Sequence, residues 1–354
     1  MTGGSLRGLG GRARPGPTRL SAEGLVDARA PDGADYPLVI EARAEGLDLG
    51  AWARENRARL DGALDRHGGV LLRGFRVEGP AGFAAFARAS AGEPLPYLER
   101  SSPREPIEGN VYTSTSHPAE QAIFLHNEQS YNLTFPGRIL FHCVTPAASG
   151  GATPVACVRR VLGELPRALV DRFVARGYLY VRNFGGGLGL SWQEAFQTAD
   201  RAEVEAYCRA NQIEARWLGG DRLRTSQRRP AVARRPRTGE LAWFNHATFF
   251  HVTTLGPELA GRLRSLYAED EMPNNTFYGD GSPIEPEALE ALRAAYLRAA
   301  VSVPWRQGDC LLLDNVAMAH GREPFAGERA VAVAMAEPRS WAALGHGVAA
   351  GGGA

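Results

Sequence analysis

A mainly β fold with flanking helices is what this sequence predicts, and three observations carry the prediction. Short apolar runs of four to seven residues, broken by Gly and Pro, recur from residue 122 onward, as in an antiparallel barrel or jelly roll. Segments of helical spacing stand between them without regular alternation, which argues against a parallel α/β sheet. At 354 residues the chain has room for one large domain or two ordinary ones, and for a substantial core.

Taken in order, residues 1–32 are rich in Gly, Pro and Arg and the segment 343–354 ends in GGGA, so both ends are expected to be flexible and the working domain to occupy 33–342. PLVI at 37–40 reads as a strand, 49–65 carries Leu and Ala at helical spacing, and HGG at 67–69 is a turn before the strand VLLRGF at 70–75. Residues 80–91 read as a helix. The stretch 92–124 has no sustained period, and a loop of that length in a compact domain is usually functional. Strands follow at 123–125, 138–144, 153–156 and 178–181, with helices at 160–176, 200–211, 257–270 and 285–299. Two further strands, 309–313 and 329–335, complete the pattern.

Composition excludes several functions. Lys and Arg total 40 against 39 acidic residues, a net charge of +1, so no overall field draws the chain to nucleic acid or to an anionic membrane. The sequence contains no lysine, which removes Schiff-base chemistry and the P-loop lysine. Cys143, Cys157, Cys208 and Cys310 form no CxxC pair and read as free thiols in a reducing compartment. There is no signal-like h-region and no run of 18 apolar residues, so a soluble, cytoplasmic protein is expected. The Arg-rich segment 222–237 lacks interleaved aromatics and reads as a solvated hairpin.

The most informative residues are His126, Asn127 and Glu128, directly after the apolar run at 123–125. In extended chain residues i and i+2 point the same way, so His126 and Glu128 can offer an imidazole and a carboxylate to one point. Two His and one carboxylate on one face of an octahedral Fe(II) leave three positions open for a chelating cosubstrate and O₂. His320, after a turn and buried strand at 308–315 and before Gly321 and Arg322, has the best context for the third ligand; His246 and His251 are its rivals.

HNE at 126–128, GGATP at 150–154, and DNVAMAHGR at 314–322 leading to GER at 327–329 together resemble the taurine dioxygenase/TfdA group of Fe(II)- and 2-oxoglutarate-dependent oxygenases, in its clavaminate-synthase-like and SyrP-like branch. The resemblance spans about residues 95–338. It implies a double-stranded β-helix core (jelly roll, cupin-like), iron ligands His126, Glu128 and His320, and Thr153 with Arg329 as the anchor of the distal 2-oxoglutarate carboxylate. A guanidinium fork suits a carboxylate, and a hydroxyl donates one more hydrogen bond. It also implies that 2-oxoglutarate and O₂ yield succinate and CO₂ while a C–H bond of an amino acid, or of an aminoacyl group on a carrier protein, is oxidised.

Glu128 stands where most of the group has Asp, matching the clavaminate-synthase-like branch. A halogenase has a small residue there, so Glu128 favours hydroxylation, desaturation or another oxidation. Val333 occupies the place of the Arg with which the taurine enzyme grips a sulfonate, which argues against taurine as the substrate. Asn245, Asp280 and Arg322, polar residues in apolar or Gly-rich settings, are the candidates for touching substrate. Two other readings remain at this point: a His₂Glu zinc hydrolase, which would have no use for 2-oxoglutarate, and a jelly-roll binding protein without metal-dependent activity.

Overall fold

A computed structural model of the protein describes residues 24–115, 117–187 and 189–345. Eight strands form the larger sheet, in the order Val26–Arg29, Leu38–Ala42, Gly69–Arg73, Cys310–Asp314, Thr134–Thr145, Ala330–Ser340, Val111–Thr113 and Pro106–Glu108. Neighbours are antiparallel except Leu38–Ala42 beside Gly69–Arg73, a parallel pair joined through the helices Leu49–Glu55 and Arg57–His67. A smaller sheet carries Ala300–Val301, Val155–Cys157, Met318–Arg322 and Ile123–His126, in that order.

The larger sheet is apolar on both faces, and the period-two alternation of a strand decides which residue meets which layer. Leu140, Leu312, Ala332 and Ala334 pack with Trp52, Leu60, Phe83 and Phe86 of the three N-terminal helices. Phe141, Leu311, Leu313, Val331 and Val333 pack on the opposite side with Val155 and Met318 of the smaller sheet. The two sheets thus face each other, and the smaller one brings His126 and His320 to the inside. Fully burying a side chain such as Phe83 or Phe86 contributes about 1.5–3 kcal/mol, so this two-sided packing supplies the rigidity a site needs.

Two glycines set close approaches behind that site. Gly68 ends the helix Arg57–His67 with φ 70°, and a Cβ there would lie 2.6 Å from Met318 Sδ, on the strand that carries His320. At Gly321 a Cβ would lie 2.6 Å from the carbonyl oxygen of Ile123, across the ladder that joins the two histidine-bearing strands.

The structure departs from the sequence expectations in particular places. The helix expected over 49–65 is two helices broken at Asn56, and that over 160–176 breaks at Leu165, which is extended before Pro166 because the proline ring disfavours the helical region for its predecessor. The domain does not begin at 33. Val26–Arg29 pairs with Leu38–Ala42 and buries Val26, a contribution hidden by the polar residues around it. Nor does it end at 342, because Leu344 lies in the core beside Trp341. The rest of the expected flexible ends, 1–23 and 346–354, falls outside the described residues.

The Arg-rich segment is not a solvated hairpin. Arg222–Arg229 is an inner strand between Glu214–Leu218 and Tyr178–Phe184, with Leu223, Thr225, Gln227 and Arg229 all buried. Its alternation is masked in the sequence because the inward residues are mostly polar. Arg229 is accommodated by donating to the carbonyls of Tyr131 and Asn211. The four cysteines are free thiols, and no helix among the described residues is long and apolar enough to cross a membrane.

Candidate metal centre and its cavity

His126 ends the strand Ile123–His126, and His320 lies opposite it in the register of Met318–Arg322. Glu128 sits two residues past the strand end, where the chain turns. One ligand atom from each of His126, Glu128 and His320 can be chosen so that all lie within 4.8 Å of one another. His320 Nε2 is 3.7 Å from Glu128 Oε2. His126 Nδ1 lies 2.9 Å from the carbonyl oxygen of Phe124. A carbonyl only accepts, so Nδ1 carries the proton and Nε2 is left with a free lone pair, the form a metal ligand requires.

Burial acts strongly on the charges here. Burial first, and then the neighbouring His320, push the His126 pKa down to about 3, so the ring is neutral at ordinary pH. Burial opposes ionisation of Glu128, yet the Arg104 guanidinium and His320 outweigh it and hold the carboxyl below its usual range. The donor set is therefore two imidazoles, that of His126 neutral, and one ionised carboxylate, brought together before any metal binds. His320 Nδ1 has no partner among the described residues. These side chains fit a divalent cation of the iron or zinc kind.

The three residues line a cavity of about 1090 Å³. Phe249 stacks on His126 with centroids 4.2 Å apart, and Phe141 packs 5.1 Å from His320, so two ligand rings meet aromatic faces. Thr153 and Arg329 line the same cavity. Thr153 Oγ1 accepts from Trp305 Nε1 at 3.2 Å, which leaves its own proton for another acceptor. Arg329 Nε donates to the carbonyl of Gly151 at 2.9 Å. Burial, reinforced by the charge of Arg322, pulls the Arg329 pKa down to about 10. Neither Arg329 nor Arg322 is paired with a carboxylate among the described residues, so this end of the cavity is suited to an anion.

The three substrate candidates fare differently. Arg322 lines the cavity, but its Nη1 and Nη2 donate to the carbonyls of His117, Pro118 and Gln121, so it also fastens the loop above the site. Asn245 does not reach the cavity: it is buried, donates to the carbonyl of Ala231 and accepts from the N–H of Ala247, a turn-forming role. Asp280 is an exposed turn residue that accepts from the Ser282 N–H and pairs with Arg176 at 3.3 Å. A polar residue in a Gly-rich context signals a turn as readily as a site, and here the turn is what it makes.

Of the rival histidines, His246 and His251 both line the cavity. His246 Nδ1 lies 2.6 Å from Ser130 Oγ, and its ring packs 5.7 Å from that of His126. The sequence reading passed over Arg104, which lines the cavity and binds Glu128 Oε2 through Nη2 at 2.9 Å. Its one sequence signal was its place in the aperiodic stretch 92–124.

Comparison with known proteins places the chain among recognisable relatives. The family model described as "Taurine catabolism dioxygenase TauD, TfdA family" matches residues 32–335. The dapdiamide synthesis protein DdaC of Enterobacter agglomerans is 41% identical over 279 residues, covering 79% of this chain and 85% of that protein. A clavaminate synthase-like protein of Arabidopsis thaliana is 27% identical over 314 residues, covering 82% and 90%. Among solved structures, PvcB from Pseudomonas aeruginosa superposes with a TM-score of 0.54 at 18% identity, covering 90% of this chain and 94% of that one, a likeness of fold.

Proposed function

Since the chain belongs to the TauD/TfdA dioxygenase family, we propose that it is an Fe(II)- and 2-oxoglutarate-dependent oxygenase that hydroxylates a C–H bond of an amino acid, or of an aminoacyl group on a carrier protein, in natural-product biosynthesis. The observation that carries the reading is the convergence of His126, Glu128 and His320 in a cavity whose wall also holds Arg329 and Thr153. The role of the 41% identical DdaC as a dapdiamide synthesis protein supports the biosynthetic setting. The two facing sheets are read as the jelly-roll core of a cytoplasmic enzyme.

When bound, Fe(II) chelated by 2-oxoglutarate supplies O₂ activation, with 2-oxoglutarate oxidised to succinate and CO₂. The chain's own part is binding, orientation and exclusion of water. His126 offers a neutral imidazole, His320 a second imidazole and Glu128 a carboxylate. Arg329 pairs with the distal carboxylate of the cosubstrate, and Thr153 donates a hydroxyl proton to it. Phe141 and Phe249 shield the ligand rings. Val333 lines the cavity where a sulfonate-gripping Arg would stand, so the substrate is held by other means. Asn245 and Asp280 take no part. A zinc hydrolase would leave Arg329 and Thr153 without a role.

The test is an anaerobic titration of apo-protein with Fe(II) and then 2-oxoglutarate, following the visible charge-transfer band of the chelate. The band is expected in the wild type, lost in His126→Ala and weakened in Arg329→Ala. Bound Fe(II) with no band would overturn the reading and favour zinc-dependent hydrolysis.

A further inference from the structure

Glu128 has one methylene more than the aspartate usual at its position, and therefore one more rotatable bond. A glutamate on such an arm can chelate a cation through both oxygens. That would consume a coordination position the reaction needs for cosubstrate or O₂. Something must hold the carboxylate.

Arg104 is placed to do so. Its side chain is buried and its Nη2 donates to Glu128 Oε2 at 2.9 Å. The guanidinium lies over the Tyr97 ring, 4.7 Å from the centroid, and its Nε donates to Thr115 Oγ1 at 3.3 Å. Tyr97 is in turn buried, and its N–H donates to Tyr112 Oη at 3.0 Å, so the platform beneath the guanidinium is fixed. From the other side Asn315 pins the main chain of Glu128. The carboxylate is therefore held at its backbone and at one oxygen. Arg104 Nη1 is buried without a partner among the described residues, a cost that packing alone does not explain.

Building on the oxygenase reading, we infer that Arg104 is a positioning residue that restrains Glu128 to serve as a one-oxygen metal ligand, and so keeps the remaining coordination positions open to 2-oxoglutarate and O₂. Its planar fork fixes direction as well as charge, which a lysine would not. The long-armed glutamate and the buried arginine 24 residues before it form one device.

The experiment compares wild type, Arg104→Gln and Arg104→Lys under anaerobic conditions. Co(II) binding is followed by its visible spectrum and Fe(II) plus 2-oxoglutarate by the charge-transfer band, with circular dichroism as the check on folding. Both readouts are independent of turnover. Arg104→Gln is expected to weaken Co(II) binding about 10-fold, the size typical of losing a group that orients a ligand, and to raise the 2-oxoglutarate concentration at half-maximal band. Arg104→Lys is expected to recover much of the metal affinity but not the band, because it restores charge without the fork. Should the glutamine variant not fold, the lysine variant carries the test on the band alone. Folded variants with wild-type Co(II) affinity and an unchanged band would overturn the role of Arg104 and leave the oxygenase reading intact. A wild type that gives no band would overturn that reading, and this inference with it.

Discussion

The side chain of Asn315 binds the main chain of Glu128 at both ends: its Oδ1 accepts the Glu128 N–H at 2.8 Å and its Nδ2 donates to the Glu128 carbonyl at 2.8 Å. The same amide donates to the carbonyl of Pro136 at 2.7 Å, so a residue five positions before His320 locks the turn that carries the Glu128 carboxylate. The segments that carry Glu128 and His320, distant in sequence, are thereby made one rigid piece.

Removing that lock is predicted to be costly. Asn315→Ala leaves buried main-chain groups without partners, each costing about 1–3 kcal/mol, and loosens Glu128. Urea unfolding is expected to show a lower midpoint, and Fe(II) affinity to fall in the same protein. An unchanged midpoint would refute the bonding pattern described.

Arg329→Gln is expected to act on the cosubstrate and not on the metal. A hydrogen bond to a charged group is worth about 1.5–3 kcal/mol, so the KM for 2-oxoglutarate should rise roughly 10- to 150-fold while Fe(II) binding stays near wild type. Steady-state succinate formation and a separate metal titration distinguish the two effects.

Asp280→Ala and Asn245→Ala should separate surface from core. Asp280 is exposed, and its replacement is expected to leave both stability and 2-oxoglutarate turnover close to wild type. Asn245→Ala strands the Ala247 N–H and removes one of the two donors to the Ala231 carbonyl, and should lower stability by about 1–3 kcal/mol with metal binding retained in the folded fraction. A large kinetic effect from Asp280→Ala would put the residue back near the chemistry.

The pH dependence of stability carries a definite sign. Burial pushes the His251 pKa from its usual value near 6.5 down to about 4. As pH falls below 6.5 the unfolded chain takes up the proton first, so stability present above 6.5 is lost progressively towards pH 4, by about 3 kcal/mol for this one group. Urea midpoints of wild type and His251→Gln measured from pH 7.5 to 4.5 should therefore lie closest near neutral pH, where both side chains are uncharged, with the wild type losing stability in acid that the variant keeps. Parallel curves would show that His251 does not titrate as its burial requires.

Much of the fold was legible because apolar alternation is a local signal. The strands at 37–40, 70–75, 138–144, 309–313 and 329–335 all stand close to their expected places. Arg222–Arg229 was misread because its inward face is Thr, Gln and Arg, whose burial depends on carbonyls supplied from elsewhere in the fold. That His126, Glu128 and His320 come together, and that Thr153 and Arg329 stand in the same cavity, was legible through a motif and a resemblance, since His126 and Glu128 are two residues apart and the spacing alone restricts what they can do. Asn245 and Asp280 were misplaced because a short polar side chain looks the same in a turn as in a site.

The sequence by itself determined which donor groups stand at 126, 128 and 320, where its most apolar strands lie and the absence of lysine chemistry, because these follow from residue identity and local spacing. The tertiary structure alone decided that Arg104 grips Glu128, that Asn315 pins it, that Phe249 covers His126 and that Arg322 holds the loop at 117–121. Each of those contacts joins segments 24 to 205 residues apart, and no periodicity encodes them. They exist because two sheets pack face to face and leave a water-poor space in which buried polar groups must find one another or remain unsatisfied.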